Sequence, residues 1–150
     1  MKHAPLILSM FLFCAGCAST QREPDLPGMV IISGVAQVPA DYQPDSRTIL
    51  QVRVINATLA GAAPASPAPS KRSYVSGLEV LAESVSYPGK TTPFAFTLEV
   101  PSVLIEKGQK YEVVAELYES SRRTYSGARP ISPSGDKDIS NLKIELKSLR

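Results

Sequence analysis

Histidine and cysteine are nearly missing from this chain of 150 residues. The single His is His3 and the two Cys are Cys14 and Cys17, so all three fall in the first 17 residues. Once that segment is removed or modified, the working protein has no imidazole and no free thiol. That excludes a zinc site with the usual ligands, a Cys nucleophile, a His general base and a disulfide. Trp is absent and aromatic residues reach only 7%. Neither charge dominates: the formal net charge is +2, and +1 once Lys2 is removed. Such a balance lacks the basic stripe of a nucleic-acid binder, and Arg122-Arg123 reads as a hairpin tip. Long apolar runs are missing too. The run Leu6 to Phe13 is shorter than the roughly 20 residues needed to span a bilayer.

What is present suits one folded domain. Apolar residues make up 43% of the chain, and the length matches a single core. Met1-Lys2-His3, the apolar run after it and Cys14-Ala15-Gly16-Cys17 read as an export signal. The pattern resembles a bacterial lipoprotein signal with its lipobox. The resemblance implies a signal peptide over residues 1–16, cleavage before Cys17 and acyl chains on Cys17. The family pattern prefers Leu where Cys14 stands, and Cys14 is still small and apolar. Several acyl chains anchor a protein firmly, at about 0.8 kcal/mol per buried methylene. By resemblance to the sorting rules of such lipoproteins, where an Asp after the Cys implies inner-membrane retention, Ala18 implies the periplasmic face of an outer membrane. Residues 17–28 then form a polar tether with Pro24 and Pro27, up to about 35 Å long if extended.

From Met29 the pattern changes to short β-branched and aromatic runs divided by Pro, Gly, Ser and Asp. Strands are expected over residues 29–38, with a bulge at Gly34, and over 48–56, with Leu50, Val52 and Val54 on one face. Further strands are expected over 78–86, at Phe94/Phe96/Leu98/Val100 and at Tyr111/Val113/Ala115/Leu117. A hairpin at 119–123 leads to a short strand at 124–128. A last strand over 141–149 turns Leu142, Ile144 and Leu146 inward. A single helical turn is expected near 102–106. Seven strands at this spacing predict an all-β fold, a small antiparallel sandwich of Greek-key or barrel-like form, over residues 29–150. Pro93 at a strand start and charged outer faces predict managed sheet edges.

Residues 57–77, rich in Ala, Pro and Ser, read as a long mobile loop with little to bury. Its Lys71, Arg72 and Tyr74 form a basic-aromatic tip, the one candidate contact patch for a partner.

No motif for chemistry survives inspection. Glu112 and Glu116 share a strand face, as do Glu79 and Glu83, but four residues of strand span about 13 Å. Glycoside hydrolysis needs about 5–9.5 Å between carboxylates. Ser134-Gly135-Asp136-Lys137 imitates S-x-x-K but lies in a polar turn without its companion motifs. Gly89-Lys90-Thr91 imitates a P-loop end, with Ser84 where the first Gly belongs. Asn56-Ala57-Thr58 is a glycosylation sequon by pattern alone. The expected protein is not an enzyme and requires no cofactor, metal or nucleic acid.

Three stretches carry a family resemblance. Ile32-Ser33-Gly34-Val35-Ala36 leads through Pro44-Asp45-Ser46 to the Leu50/Val52/Val54 strand. Pro88-Gly89-Lys90-Thr91-Thr92-Pro93-Phe94-Ala95-Phe96-Thr97-Leu98 follows a G-K-x-x-P-F-x-F-x-L pattern. Pro101 to Tyr111, with Ile105 and Gly108, precedes the next alternating strand. Together they resemble the YbaY-like lipoprotein family, to which the type III secretion pilotin YscW is related. The resemblance covers about residues 30–149, with a longer 57–77 segment than that family carries. It implies a small non-enzymatic β-sandwich, lipid-anchored in the envelope. Its pilotin relatives imply a partner protein of the secretin type and a role in outer-membrane assembly. A structural or stress-related lipoprotein without a dedicated client is the alternative, and a carboxylate-dependent envelope hydrolase a more distant one.

Overall fold

In a computed structural model of the protein, residues 28–59, 73–75, 78–135 and 137–149 are described. The signal segment, Cys17, Lys71 and Arg72 lie outside them. The fold is all-β: among the described residues, nine strands form two sheets with their apolar faces turned together. No helix among the described residues is long and apolar enough to cross a membrane.

Strict alternation builds the first sheet. In β5 (Phe94–Pro101), Phe94, Phe96, Leu98 and Val100 are buried while Ala95, Thr97 and Glu99 are exposed. β1 (Met29–Gln37) pairs antiparallel with β5 and buries Val30, Ile32 and Ala36 opposite it. The other edge of β1 pairs with β8 (Ile139–Glu145), and this pairing is parallel rather than antiparallel. The sheet order is β5-β1-β8. Gly34 serves this pairing, because a Cβ there would overlap the Leu142 carbonyl oxygen. The bulge expected at Gly34 is displaced onto the partner strand. Between Ile32 and Gly34, β1 advances two residues while β8 advances three, Ile139 to Leu142. Asn141 takes the left-handed backbone (φ 60°) that such an extra residue favours.

Among the described residues the second sheet has six strands, in the order β3 (Ser73–Val75), β4 (Leu78–Ser86), β2 (Ile49–Asn56), β6 (Tyr111–Glu119), β7 (Arg122–Ile131) and β9 (Lys147–Ser148). β2 (Ile49–Asn56) buries Leu50, Val52 and Val54, and β6 (Tyr111–Glu119) buries Tyr111, Val113, Ala115 and Leu117. Each such side chain contributes about 1.5–3 kcal/mol when fully withdrawn from water. β6 turns into β7 (Arg122–Ile131) through Ser120 and Ser121, both with positive φ, as a two-residue hairpin of matching twist requires. β7 is longer than the five residues expected, because its ladder with β6 runs on to Tyr111–Ile131. The helical turn expected near 102–106 is a short 3-10 turn at Ser102–Leu104.

The sequence pattern is overridden by tertiary structure in three places. The expected last strand divides at Leu146: β8 belongs to the first sheet, and β9 (Lys147–Ser148) pairs with Tyr125 and Ser126 of β7 in the second. Leu146 is buried at the crossing, and its N–H donates to the Gln37 carbonyl at 2.8 Å. Residues 57–77 are not one uninterrupted loop. Ala57–Leu59 forms a 3-10 turn, and β3 (Ser73–Val75) pairs along β4 (Leu78–Ser86), with Tyr74 in register with Glu79. Tyr74 therefore sits in an edge strand rather than at a loop tip. Finally, β4 carries an extra residue opposite Val54/Ile55. This bulge reverses the alternation, so Glu79 and Glu83 do not share a face. Glu79 is buried beside Asn56, and Glu83 lies on the outer side beside Gln51.

Candidate functional site

Polar groups that the core does not explain collect in three places. The first is the outer face of the six-stranded sheet. There Glu116 of β6 stands between Arg53 of β2 and Arg123 of β7, and each guanidinium binds one carboxylate oxygen. The Tyr118 hydroxyl adds a third donor at 3.1 Å. Burial of the ring, and then the neighbouring Glu116 charge, push the Tyr118 hydroxyl above its ordinary pKa. Glu116 holds Arg123 above its own usual value through their hydrogen bond and charge attraction. The side chain of Glu116 is 4% exposed and that of Arg53 12%, against 51% for Arg123. The cluster thus has a desolvated half and a wet half. On the next strand, Gln51 donates its amide to Glu83.

This arrangement explains the carboxylates that the sequence offered for catalysis. Both Glu116 oxygens already accept from donors within the chain, and the side chain is 4% exposed, so the carboxylate is held by its neighbours and turned from solvent. Glu79 is engaged by Asn56 at 3.5 Å. Among the described residues, no three His, Cys, Asp or Glu come together to hold a metal ion. The Asn56 sequon is also accounted for: its amide is buried against Glu79, and its Oδ1 accepts from the Thr58 N–H at 3.1 Å. Ser134 and Lys137 close a turn, the Lys137 N–H donating to the Ser134 carbonyl at 3.4 Å.

The second place is a wedge between β7 and β8. The chain crosses from one sheet to the other at Leu146, so β8 and β7 diverge from that corner. At the apex Gly127 faces the Glu145 carbonyl so closely that a Cβ would overlap it. Beyond the apex the arms enclose about 450 Å3, lined by Ala128, Arg129, Lys143, Glu145 and Lys147 besides Gly127. That size lies within the roughly 300–1,000 Å3 of ligand clefts. Three cations meet one carboxylate, and among the described residues no ion pair neutralises Arg129, Lys143 or Lys147. Sequence reasoning missed this wedge. Its signal was small: Gly127 inside a strand expected to be short, and Lys143 and Lys147 alternating with Glu145 along the last strand.

A third polar group caps one end of the core. Tyr42 lies edge-on to Phe94 and Tyr125, with ring centroids 6.4 and 5.0 Å away. Burial pushes its hydroxyl up to about 12, against the lowering effect of its hydrogen bond with Thr48. Thr48 is buried and accepts from the Asp45 N–H at 3.0 Å, so this corner holds the β1–β2 connection.

Of the residues expected to bind a partner, Lys71 and Arg72 lie outside the described residues, and only the backbone of Tyr74 is placed, in β3. Cys17 is likewise outside.

No family model matches the chain, and no curated protein matches it in sequence. Its fold is similar to a solved structure, an alternative pilotin from the type II secretion system of Vibrio cholerae. The likeness has a TM-score of 0.59 at 16% identity and covers 79% of this chain and 97% of that one. The chain therefore has a pilotin-like fold.

Proposed function

We propose that the protein is a non-enzymatic, lipid-anchored component of the bacterial envelope that binds a partner protein and assists assembly of a secretin-type outer-membrane protein. The observation that carries this reading is the likeness to a pilotin over nearly the whole of that chain. The outer-face cluster supports it from the other direction, because both oxygens of its buried carboxylate bind donors within the chain. Anchoring through Cys17 on the periplasmic face of an outer membrane, and kinship with the YbaY-like lipoproteins, rest on the motifs quoted above and belong to the same proposal.

Two measurements test it together. Labelled fatty acid should enter the wild-type protein and not the Cys17→Ser variant. Solubilised envelopes should release an outer-membrane secretin together with the wild-type protein. Absence of label in the wild type removes the anchor, and recovery of the protein without any outer-membrane partner removes the assembly role.

A further inference from the structure

We propose that the wedge between β7 and β8 receives an extended acidic segment of a protein partner, which adds as a strand along the free edge of β8. The proposal rests on the reading of the chain as a partner-binding protein and names where, and in what conformation, the partner is held.

The backbone supplies the first argument. β8 pairs with β1 on one edge only, and among the described residues no strand pairs with its other edge. The Leu146 N–H points to Gln37 of β1. Along a strand, successive main-chain groups face opposite edges. Those of Lys143 and Glu145 therefore face the wedge. On the opposite arm, β9 covers only Tyr125 and Ser126 of β7. The Leu149 N–H donates to the Thr124 carbonyl at 3.0 Å, so by the same alternation Ala128 and Pro130 face the wedge. Pro130 carries no N–H, which weakens the β7 edge as a template. The β8 edge has no such protection. Pro93 precedes β5 at the far edge of the same sheet, whereas β8 contains no Pro; its edge carries Lys143, a charge that opposes pairing with another basic edge and favours an acidic strand. Unpaired strand edges of this kind accept an added strand, whose main-chain hydrogen bonds supply affinity.

Charge supplies the second argument. Arg129, Lys143 and Lys147 line the wedge, with Glu145 as the lone carboxylate. Since no ion pair among the described residues consumes these cations, an incoming strand gains most if its exposed side chains are acidic at alternate positions. The Gly127–Glu145 contact closes the apex and sets where the added strand must stop.

The test uses the full chain, isotope-labelled, and a synthetic peptide of about ten residues alternating Glu with Val or Thr. Peptide binding should protect the amides of Lys143 and Ala128 from hydrogen exchange. Lys143→Glu with Lys147→Glu should weaken binding by about tenfold or more. A peptide N-methylated at alternate residues, with its charges intact, should lose the protection. No protection at millimolar peptide overturns the proposal, as does equal binding of the N-methylated peptide or of a Lys-for-Glu counterpart. Protection of the same amides by anionic vesicles but not by the peptide also overturns it, and marks the surface as a membrane contact. The two readings fail separately. If a secretin co-purifies equally with the wild-type and doubly charge-reversed chains, the wedge is wrong and the partner-binding function stands. If no outer-membrane partner co-purifies with the wild type, the function is wrong whatever the peptide does.

Discussion

Two regions of this molecule gather charge, and they do opposite things with it. On the outer face of the six-stranded sheet, two guanidiniums and a tyrosine hydroxyl close around Glu116 until both of its oxygens have partners. In the wedge, three cations and the stretches of β7 and β8 edge that no strand among the described residues pairs surround about 450 Å3 without closing on one another. The first region is a buried polar network completed within the chain, and its effect is to fix the register of three neighbouring strands. The second has donors and charge left over. Position in the fold explains the difference. The cluster sits mid-sheet, where strands lie side by side and long side chains can span them. The wedge forms where one strand leaves its sheet for the other, and there the backbone itself is unpaired.

If the cluster is structural, its largest effect is on stability. Arg53→Met leaves Glu116 desolvated with one guanidinium, on the half-exposed Arg123. Removing one partner of a buried pair costs about 3–5 kcal/mol, and the remaining Arg123 places this variant near 3 kcal/mol. Chemical denaturation should show the loss. Adding Glu116→Leu to Arg53→Met removes the stranded charge and should recover most of it. A double variant as unstable as the single one would mean that packing of the Arg53 stem, not the ion pair, holds these strands together.

The wedge contains one position where stability and shape meet. At Gly127 a Cβ would overlap the Glu145 carbonyl, so Gly127→Ala forces the β8–β9 corner away from β7. Overpacking of this kind costs about 1–3 kcal/mol. The expected sign is a lower denaturation midpoint, with loss of slow exchange at the Leu146 amide, whose bond to Gln37 depends on that corner. An unchanged midpoint would show that the apex has room to open.

The sequence made the pleated faces legible and the places between them obscure. Phe94, Phe96, Leu98 and Val100 alternate with the small or polar Ala95, Thr97 and Glu99 because one side of β5 is dry, and that periodicity needs no knowledge of neighbouring strands. The same holds for Leu50, Val52 and Val54. Leu142, Ile144 and Leu146 also alternate correctly, yet the pattern cannot reveal that Leu146 is where the chain changes sheets. Both sides of that crossing present an apolar face to the same core. Glu79 and Glu83 fail for a related reason: one extra residue in β4 reverses the alternation, and nothing in its composition marks a bulge. For the sites, Glu116 was visible as a carboxylate on a strand face. Its saturation by Arg53 and Arg123 depends on cross-strand register, which a single chain does not display. The wedge was barely legible because its charges come from two strands whose meeting at Leu146 depends on the change of sheet.

A smaller effect separates the regions by pH. Tyr118 in the cluster and Tyr42 at the capped end both have hydroxyls raised above the ordinary tyrosine value, mainly by burial. A raised folded value means that their contribution is intact below about pH 10, where unfolded tyrosine ionises. It is lost as pH climbs through the folded values, about 12 for Tyr42. Stability should fall with pH above 10, and Tyr118→Phe should flatten part of that fall while Tyr42→Phe flattens another part. An alkaline limb unaltered in the Tyr118→Phe, Tyr42→Phe double variant would detach both hydroxyls from stability.

The smallest stability effect belongs to the charges of the wedge, and its smallness is the point. Lys143 and Lys147 point away from the core and join no ion pair among the described residues. Replacing both with Gln removes no packing and strands no buried charge, so the denaturation midpoint should move by no more than surface substitutions do, about 0.5 kcal/mol. Arg123→Ala, at the wet rim of the cluster, is the control for an exposed charge that does have a partner, and should cost up to about 1 kcal/mol. If the lysine variant proved the more damaging of the two, the wedge would be held together by its cations, and a role in receiving an acidic strand would lose its physical basis. If it is silent in stability while binding of the acidic peptide falls, the charges serve something outside the chain.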